Sequence, residues 1–290
     1  MIYNLGSINA DYFYFVPHLP GAGETLAATG FLRGLGGKGA NQSVAAAQAG
    51  AKVAHIGAVG SDGGWAVEQL GAFGADTTPI AVVDAPTAHA VINVDPKGEN
   101  AIVIYPGANY LQALCRLETA LSGAKPGDIL LLQNETNLQA EAAALGREKG
   151  LYVIYSAAPF DASAVQAVLP HIDLLVVNTV EAAQLGAHPT DLPCGHMLVT
   201  KGADGADWHT EGRITHVPAF QVTPVDTTGA GDCFIGYTAA GLDQGLTPDQ
   251  ALRHAAAASA LQVQEHGTAQ AIPSAAAVRA FLDQDPAKGA

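Results

Sequence analysis

Positive charge is scarce in this chain: 13 Lys and Arg stand against 27 Asp and Glu, for a formal net charge of -14. No basic run concentrates the few cations, so a phosphate backbone would be repelled and nucleic acid is excluded as a partner. Long apolar runs are missing too. Stretches such as ILLL and LLVV end after four or five residues, far short of the roughly 20 that a membrane-spanning helix requires. Met1 leads directly into IYNLGSI, which reads as a first strand, and a cytoplasmic protein with no membrane partner is expected. Cysteine is limited to Cys115, Cys194 and Cys233, an odd number without C-x-x-C spacing, which argues against a disulfide framework and predicts buried free thiols. The histidines form no H-E-x-x-H, so a zinc site has no support. No G-x-x-x-x-G-K-[ST] occurs, since Lys38 is followed by Gly39, and a P-loop NTPase is excluded. Internal repeats and low-complexity linkers are absent as well.

Glycine, by contrast, is plentiful at 33 residues, and residues 34–41, GLGGKGAN, match G-x-G-x-x-G over their first six letters. As a dinucleotide fingerprint that pattern needs a buried strand running into it, a helix leaving it and an acidic side chain about 20 residues on. The preceding ETLAATGFLRG carries Thr29, Gly30 and Arg33 and reads as an exposed strand, while AKVAHIGAVG further on has no carboxylate before Asp62. The nicotinamide reading fails on both counts.

From about Ala108 onward, short β-rich runs alternate with Ala-rich helical stretches: DILLLQNE before a helix over 138–148, LYVIYSAAP before one over 162–168, and DLLVVN before one starting near Thr179. This alternation predicts an α/β fold with a parallel sheet sandwiched by helices. Ligands of such sheets bind beyond the carboxyl ends of the strands, where Glu135, Ser156, Asn178 and Lys201 fall. Residues 12–33 and 87–105 break the pattern, alternating with strand period around the turn signals LPGAGE and DPKGEN. They are expected to pair into a small β-sheet lid, with Tyr12, Tyr14 and Val16 on one face and Phe13 and Phe15 on the other. One face would cover a cleft and the other could meet a second subunit. Residues 1–11, 34–86 and 106–290 then form the α/β core.

Residues 225–242, VDTTGAGDCFIGYTAAGL, place small residues from Thr227 to Gly231 ahead of a helical segment, so their amides can converge at a helix N-terminus and hold an anion. Asp232 sits inside that cradle. It either complements the helix dipole or acts as a general base whose substrate hydroxyl attacks a phosphoryl group stabilised by the neighbouring amides.

These residues resemble the ribokinase-like (PfkB) carbohydrate kinases. GGKGANQSVAAAQAGA at 36–51 is similar to the N-terminal signature of that family and DTTGAGDCFIGY at 226–237 to its C-terminal one, with GSINAD at 6–11, NTVE at 178–181 and VTKGADG at 199–205 in the same order. The resemblance spans nearly the whole chain and implies a parallel α/β core with a β lid, ATP with Mg²⁺, and phosphorylation of a primary hydroxyl on a sugar or nucleoside. It makes Asp232 the catalytic base and the amides of Gly229, Ala230 and Gly231 the anion hole. Asn9 and Asp11 would bind sugar hydroxyls, with Gly37, Lys38 and Asn41 opposite and Glu135 closing the pocket. Asn178 and Glu181 match the motif that organises Mg²⁺ and its waters, and Thr200, Gly202 and Gly205 would line the nucleotide side. GLGGKGAN then resembles a sugar-binding loop rather than a cofactor loop.

Within the family, GSINAD together with GGKGAN points to ribose as the substrate, ahead of fructose, deoxyribose, pseudouridine or a nucleoside. SAAP from Ser156 and Ala256 in the C-terminal helix depart from the usual pattern, at the pocket floor and beside the adenine respectively. A non-catalytic sugar-binding relic is disfavoured by the retention of Asp232 within GAGD. The resemblance also implies a K⁺ site at Asp226 and the Thr228 carbonyl. Ala271 stands where a hydroxyl ligand is expected and Glu265 where a basic residue is common, so weakened K⁺ activation is expected. A homodimer formed through the lid is implied as well.

Overall fold

The computed structural model describes residues 1–187, 192–210 and 212–284. The larger of its two sheets joins β1 (Ile2–Leu5), β4 (Val53–Val59), β5 (Ile80–Val82), β8 (Ile129–Gln133), β9 (Tyr152–Ser156), β10 (Leu174–Asn178), β11 (His196–Thr200), β12 (Ala206–Thr210) and β13 (Arg213–Val217). Its order is β13-β12-β11-β10-β9-β8-β1-β4-β5. The smaller sheet runs β3 (Gly30–Gly36), β2 (Asn9–Phe15), β6 (Ala88–Val94), β7 (Asn100–Tyr105). The helices are α1 (Lys38–Gln48), α2 (Gly64–Ala72), α3 (Leu114–Ala120), α4 (Gln139–Glu148), α5 (Ala162–Val168), α6 (Thr179–Leu185), α7 (Ala230–Asp243), α8 (Pro248–Gln262) and α9 (Ala275–Asp283).

Every pairing from β11 across to β5 is parallel. Because strand side chains alternate between faces, the run Ile129–Gln133 divides: Ile129 and Leu131 enter a core built with α1, α7 and α8, while Leu130 and Leu132 enter a second core with α4 and α5. Helices on both faces explain why these strands are apolar throughout rather than alternating. At the far edge β12 and β13 are antiparallel to their neighbours. The turn around Gly212 between them is too short for the helical crossover that a parallel pair needs.

Strand order reverses at β1, which pairs with β4 on one side and β8 on the other. A crevice opens at such a point beyond the carboxyl ends of the strands. The small sheet rises from it: the chain leaves β1 and enters β2 within a few residues, and β3 delivers it to α1. β2 is antiparallel to β3 and parallel to β6, with Asn9 opposite Gly36 and Asp11 opposite Gly34. Asn9 and Asp11 therefore belong to the sheet strand itself. On one face Tyr12 and Tyr14 meet the Phe31 ring, and His89 lies between Tyr12 and Tyr105.

The expectation of buried thiols holds for Cys194 and Cys233 and fails for Cys115, which is exposed. Leu117 and Leu121 turn one side of that short helical segment into the core, which leaves Cys115 on the other.

Candidate active site

On one side of the crevice, buried polar groups are tied to one another before any ligand is considered. Asn9 Oδ1 accepts from Asn109 Nδ2 at 2.9 Å, and Asn109 Oδ1 accepts from the Ile8 amide at 3.0 Å. The Asp11 carboxylate lies across the space a side chain at Gly36 would fill, 1.9 Å from the position of its Cβ, so the glycine answers a close approach by Asp11. Burial and the nearby charge of Glu135 push the Asp11 carboxyl up to about 7. Glu135 Oε2 accepts from the Lys38 amide at 3.0 Å and from Ser7 Oγ, while Oε1 lies 4.0 Å from Lys38 Nζ. Gly37 holds φ 91° directly ahead of α1, in whose first turns Lys38 meets Glu135 and Asn41 meets Asp232.

Asp232 is buried in the first turn of α7. Its Oδ2 accepts from Asn41 Nδ2 at 3.1 Å and its Oδ1 from Gln42 Nε2 at 3.0 Å. Burial raises the pKa of Asp232 above the ordinary carboxylate value, against the opposing pull of Lys38, Gln42 and Asn41. Lys38 shows the converse: burial works against its charge, but Asp232, Glu135 and Glu181 outweigh it and raise its pKa. The ammonium and three carboxylates thus share one field. Gly229 is the N-cap of α7 with φ 76°, a left-handed turn that aims the Ala230 and Gly231 amides out of the helix end. The Ala230 amide also makes a long bond, 3.3 Å, to the Thr227 carbonyl.

The loop ahead of α7 is braced. Asp226 accepts from the amides of Thr228 at 2.9 Å and Gly267 at 3.0 Å. Burial opposes its charge, but these amides and His266 hold the carboxyl below its usual range. The Thr228 carbonyl accepts from Gln262 Nε2 at 3.2 Å.

The other side of the crevice is a cavity of about 510 Å³ lined by Asn178, Thr200, Gly202 and Gly205 together with Ala230 and Gly231. Phe220, Val222, Ala256 and Val263 give it apolar walls. Asn178 and Glu181 form a capping box on α6: Asn178 Oδ1 accepts from the amides of Val180 and Glu181, and Glu181 Oε2 accepts from the Asn178 amide. Asn178 Nδ2 and Glu181 Oε1 take no part in that box.

The sequence-predicted residues therefore gather into one crevice, with Asp232 and the α7 terminus between its two sides. Sequence reasoning missed Ser7, Gln42, Asn109 and Gln133, all buried polar residues bonded to predicted ones or to each other. Gln133 had a visible signal, a polar residue closing the buried run ILLLQ; Asn109 had none.

Known proteins carry the same architecture. The family model described as pfkB family carbohydrate kinase matches residues 1–275. The ribokinase of Haemophilus influenzae is 34% identical, covering 96% of this chain and 97% of its own, and the deoxyribokinase of Salmonella typhi is 32% identical, covering 93% and 94%. The structure of Arabidopsis thaliana ribokinase complexed with ribose and ATP superposes with a TM-score of 0.89 at 29% identity, over 98% of this chain and 99% of that one. Sequence, fold and crevice converge: the chain belongs to the pfkB family of carbohydrate kinases.

Proposed function

We propose that the protein transfers the γ-phosphoryl group of ATP to the primary hydroxyl of a small sugar, D-ribose first among them. The observation that carries this reading is the place of Asp232, bonded to Asn41 on the sugar-side helix α1 while Ala230 and Gly231, directly before it in the same turn, line the cavity assigned to the nucleotide. Asn9, Asp11, Lys38, Asn41 and Glu135 bind the sugar hydroxyls, since carboxylates and amides grip vicinal diols through paired hydrogen bonds. Asp232 takes the proton of the attacking hydroxyl, and the amides of Gly229, Ala230 and Gly231 stabilise the charge on the transferred group. Thr200, Gly202 and Gly205 border the nucleotide. The similar ribokinase and deoxyribokinase make the 2-hydroxyl the point on which specificity turns. A coupled ADP-release assay over ribose, deoxyribose, fructose, pseudouridine and common nucleosides tests the reading. Ribose should give the highest kcat/KM, and no turnover with any of them would overturn the assignment.

Among the described residues no group of three or more His, Cys, Asp or Glu gathers as an ion cage. Glu181 Oε1 and Asn178 Nδ2, left outside the capping box, are the groups that would order the waters of a phosphate-bound Mg²⁺. When bound, Mg²⁺ neutralises charge on the phosphate oxygens. A monovalent ion at Asp226 and Thr228 would share acceptors already engaged by backbone amides and Gln262, which supports K⁺ activation that is weak. We assign residues 12–33 and 87–105 to a lid that closes over the sugar. The exposed Phe31, Leu32, Ile102, Val103 and Ile104 on it support pairing of two lids in a homodimer, a state light scattering would detect. The buried free thiols and the use of ATP suit a cytoplasmic setting.

A further inference from the structure

Behind Asp232 runs a chain of side-chain hydrogen bonds through the core. Gln42 Nε2 donates to Asp232 Oδ1 at 3.0 Å, and Gln133 Nε2 donates to Gln42 Oε1 and to Asn4 Oδ1, at 2.8 Å each. Asn4 Nδ2 donates to Ser43 Oγ at 2.8 Å, Ser43 Oγ meets His55 Nδ1 at 2.8 Å, and His55 Nε2 meets the Gly6 carbonyl at 3.2 Å. All five intervening side chains, on α1, β1, β4 and β8, are buried.

Both ends of this chain dictate its polarity. An ionised carboxylate only accepts, so Gln42 must turn its nitrogen to Oδ1 and its oxygen to Gln133. The Gly6 carbonyl also only accepts. Burial holds His55 down at about 4, hence neutral, and its one proton must sit on Nε2. Nδ1 then accepts from Ser43, Ser43 accepts from Asn4, and Asn4 turns its oxygen toward Gln133. Each neighbour of Gln133 presents an oxygen, and its NH₂ group has one proton for each.

A proton on Asp232 Oδ1 would face the NH₂ of Gln42. Turning the Gln42 amide over would only move the clash, setting its NH₂ against that of Gln133. Oδ2 differs in its donor: its one bond comes from Asn41, whose own Oδ1 has no hydrogen-bond partner, so that amide can turn over and accept a proton there, which the tethered Gln42 amide cannot. We propose that Gln42 and Gln133 are positioning residues that commit Oδ1 to acceptance and make Oδ2 the oxygen that receives the proton of the attacking hydroxyl. The sugar O–H bond breaks as Oδ2–H forms, and the oxygen's electron pair bonds to the γ-phosphorus as ADP departs with the pair of the broken P–O bond. The inference rests on the reading of Asp232 as base.

Titratable groups facing Asp232 are Lys38 from α1, Glu135 from beyond β8 and Cys233 on its own helix, with Glu181 near Lys38. Gln42→Met leaves all of them in place and removes one donor from the anion. The base must be ionised, so activity rises with pH through its pKa, and losing the donor should move the acid limb of kcat upward by about one unit. We expect kcat about 10-fold lower on the acid side of that limb, with KM for sugar and ATP within about twofold. Gln133→Met, which keeps the Asp232 contact but frees Gln42 to rotate, should shift the limb the same way by less. In the unsubstituted protein the Gln42 side-chain NH₂ resonances should exchange slowly and move at the pH of that limb, a readout that survives if both variants fail to fold. A folded Gln42→Met enzyme with full kcat and an unmoved limb would overturn the proposal, as would wild-type Gln42 resonances indifferent to pH. Asp232→Asn separates the two ideas: full activity in that variant sinks the base itself, whereas its collapse beside an unmoved Gln42→Met profile sinks only the positioning role.

Discussion

The two sides of the crevice are built on opposite principles. On the side proposed to hold the sugar, Asn9, Asn41 and Asp232 are buried, polar and bonded to protein partners in advance, and Asp11 is buried as well. On the side proposed for the nucleotide, glycines and alanines together with the apolar Phe220, Val222 and Val263 border a cavity of about 510 Å³. On the proposed assignment, the difference follows from what each side must read. Hydroxyls are discriminated by hydrogen bonds whose loss leaves buried groups unpaired, a large penalty, whereas an aromatic base is held by area that tolerates exchange. Selectivity should thus be sharp for the sugar and loose for the base.

The strongest break is at the seam between the sides. Asp232→Asn should lower kcat by about 10² to 10⁴ with little change in sugar KM; near-full activity would reduce the carboxylate to a helix cap. Next comes Asp11, whose replacement by Asn should raise sugar KM by about 10- to 100-fold and leave ATP KM unmoved. Its sign with pH is set: the carboxyl is neutral below about 7 and ionised above, so the wild-type sugar KM should fall as pH rises through that value, and the Asn variant should lose the slope. The same raised pKa means that the folded state binds this proton more tightly than the unfolded chain does. The contribution of Asp11 to stability is therefore fully present below about 4 and lost as pH climbs toward 7.

Smaller effects sharpen the contrast. Saturating sugar should slow hydrogen exchange in residues 12–33 and 87–105 while nucleotide alone leaves them unchanged, if the lid serves the sugar side. Replacing Ala256 by Gln should alter the ratio of ATP to GTP use by about threefold or less, since an apolar wall discriminates weakly. Exchange of K⁺ for Na⁺ should change kcat by about twofold; strong dependence on K⁺ alone would show that Gln262 yields the Thr228 carbonyl to an ion.

Much of this was legible in the sequence because it is local. The runs ILLLQ, YVIYS and LLVVN announce strands buried on both faces, and the alternation around them announces a parallel sheet. The motifs carried the candidate residues, which fall in one crevice because all the parallel strands end on the same side. Less legible was the outward turn of Cys115, which depends on which side of a single helical turn finds the core. Nor was the antiparallel edge of β12 and β13 foreseen, since it rests on the brevity of one turn.

Asn4, Ser43, His55 and Gln133 mark the boundary between the two kinds of knowledge. Asn4 and His55 are single polar residues in apolar runs, Ser43 follows Asn41 and Gln42, and Gln133 closes ILLLQ; nothing local says that they meet. Local patterning accounts for the period of the strands, the glycine-rich loops and the residue types fit for phosphoryl transfer. It took the folded sheet and helix α1 to bring these polar atoms from four elements within hydrogen-bond distance behind Asp232. The physical reason is that a buried polar group must find a partner, and the chain cannot show which distant segment will supply it until the sheet has set their register.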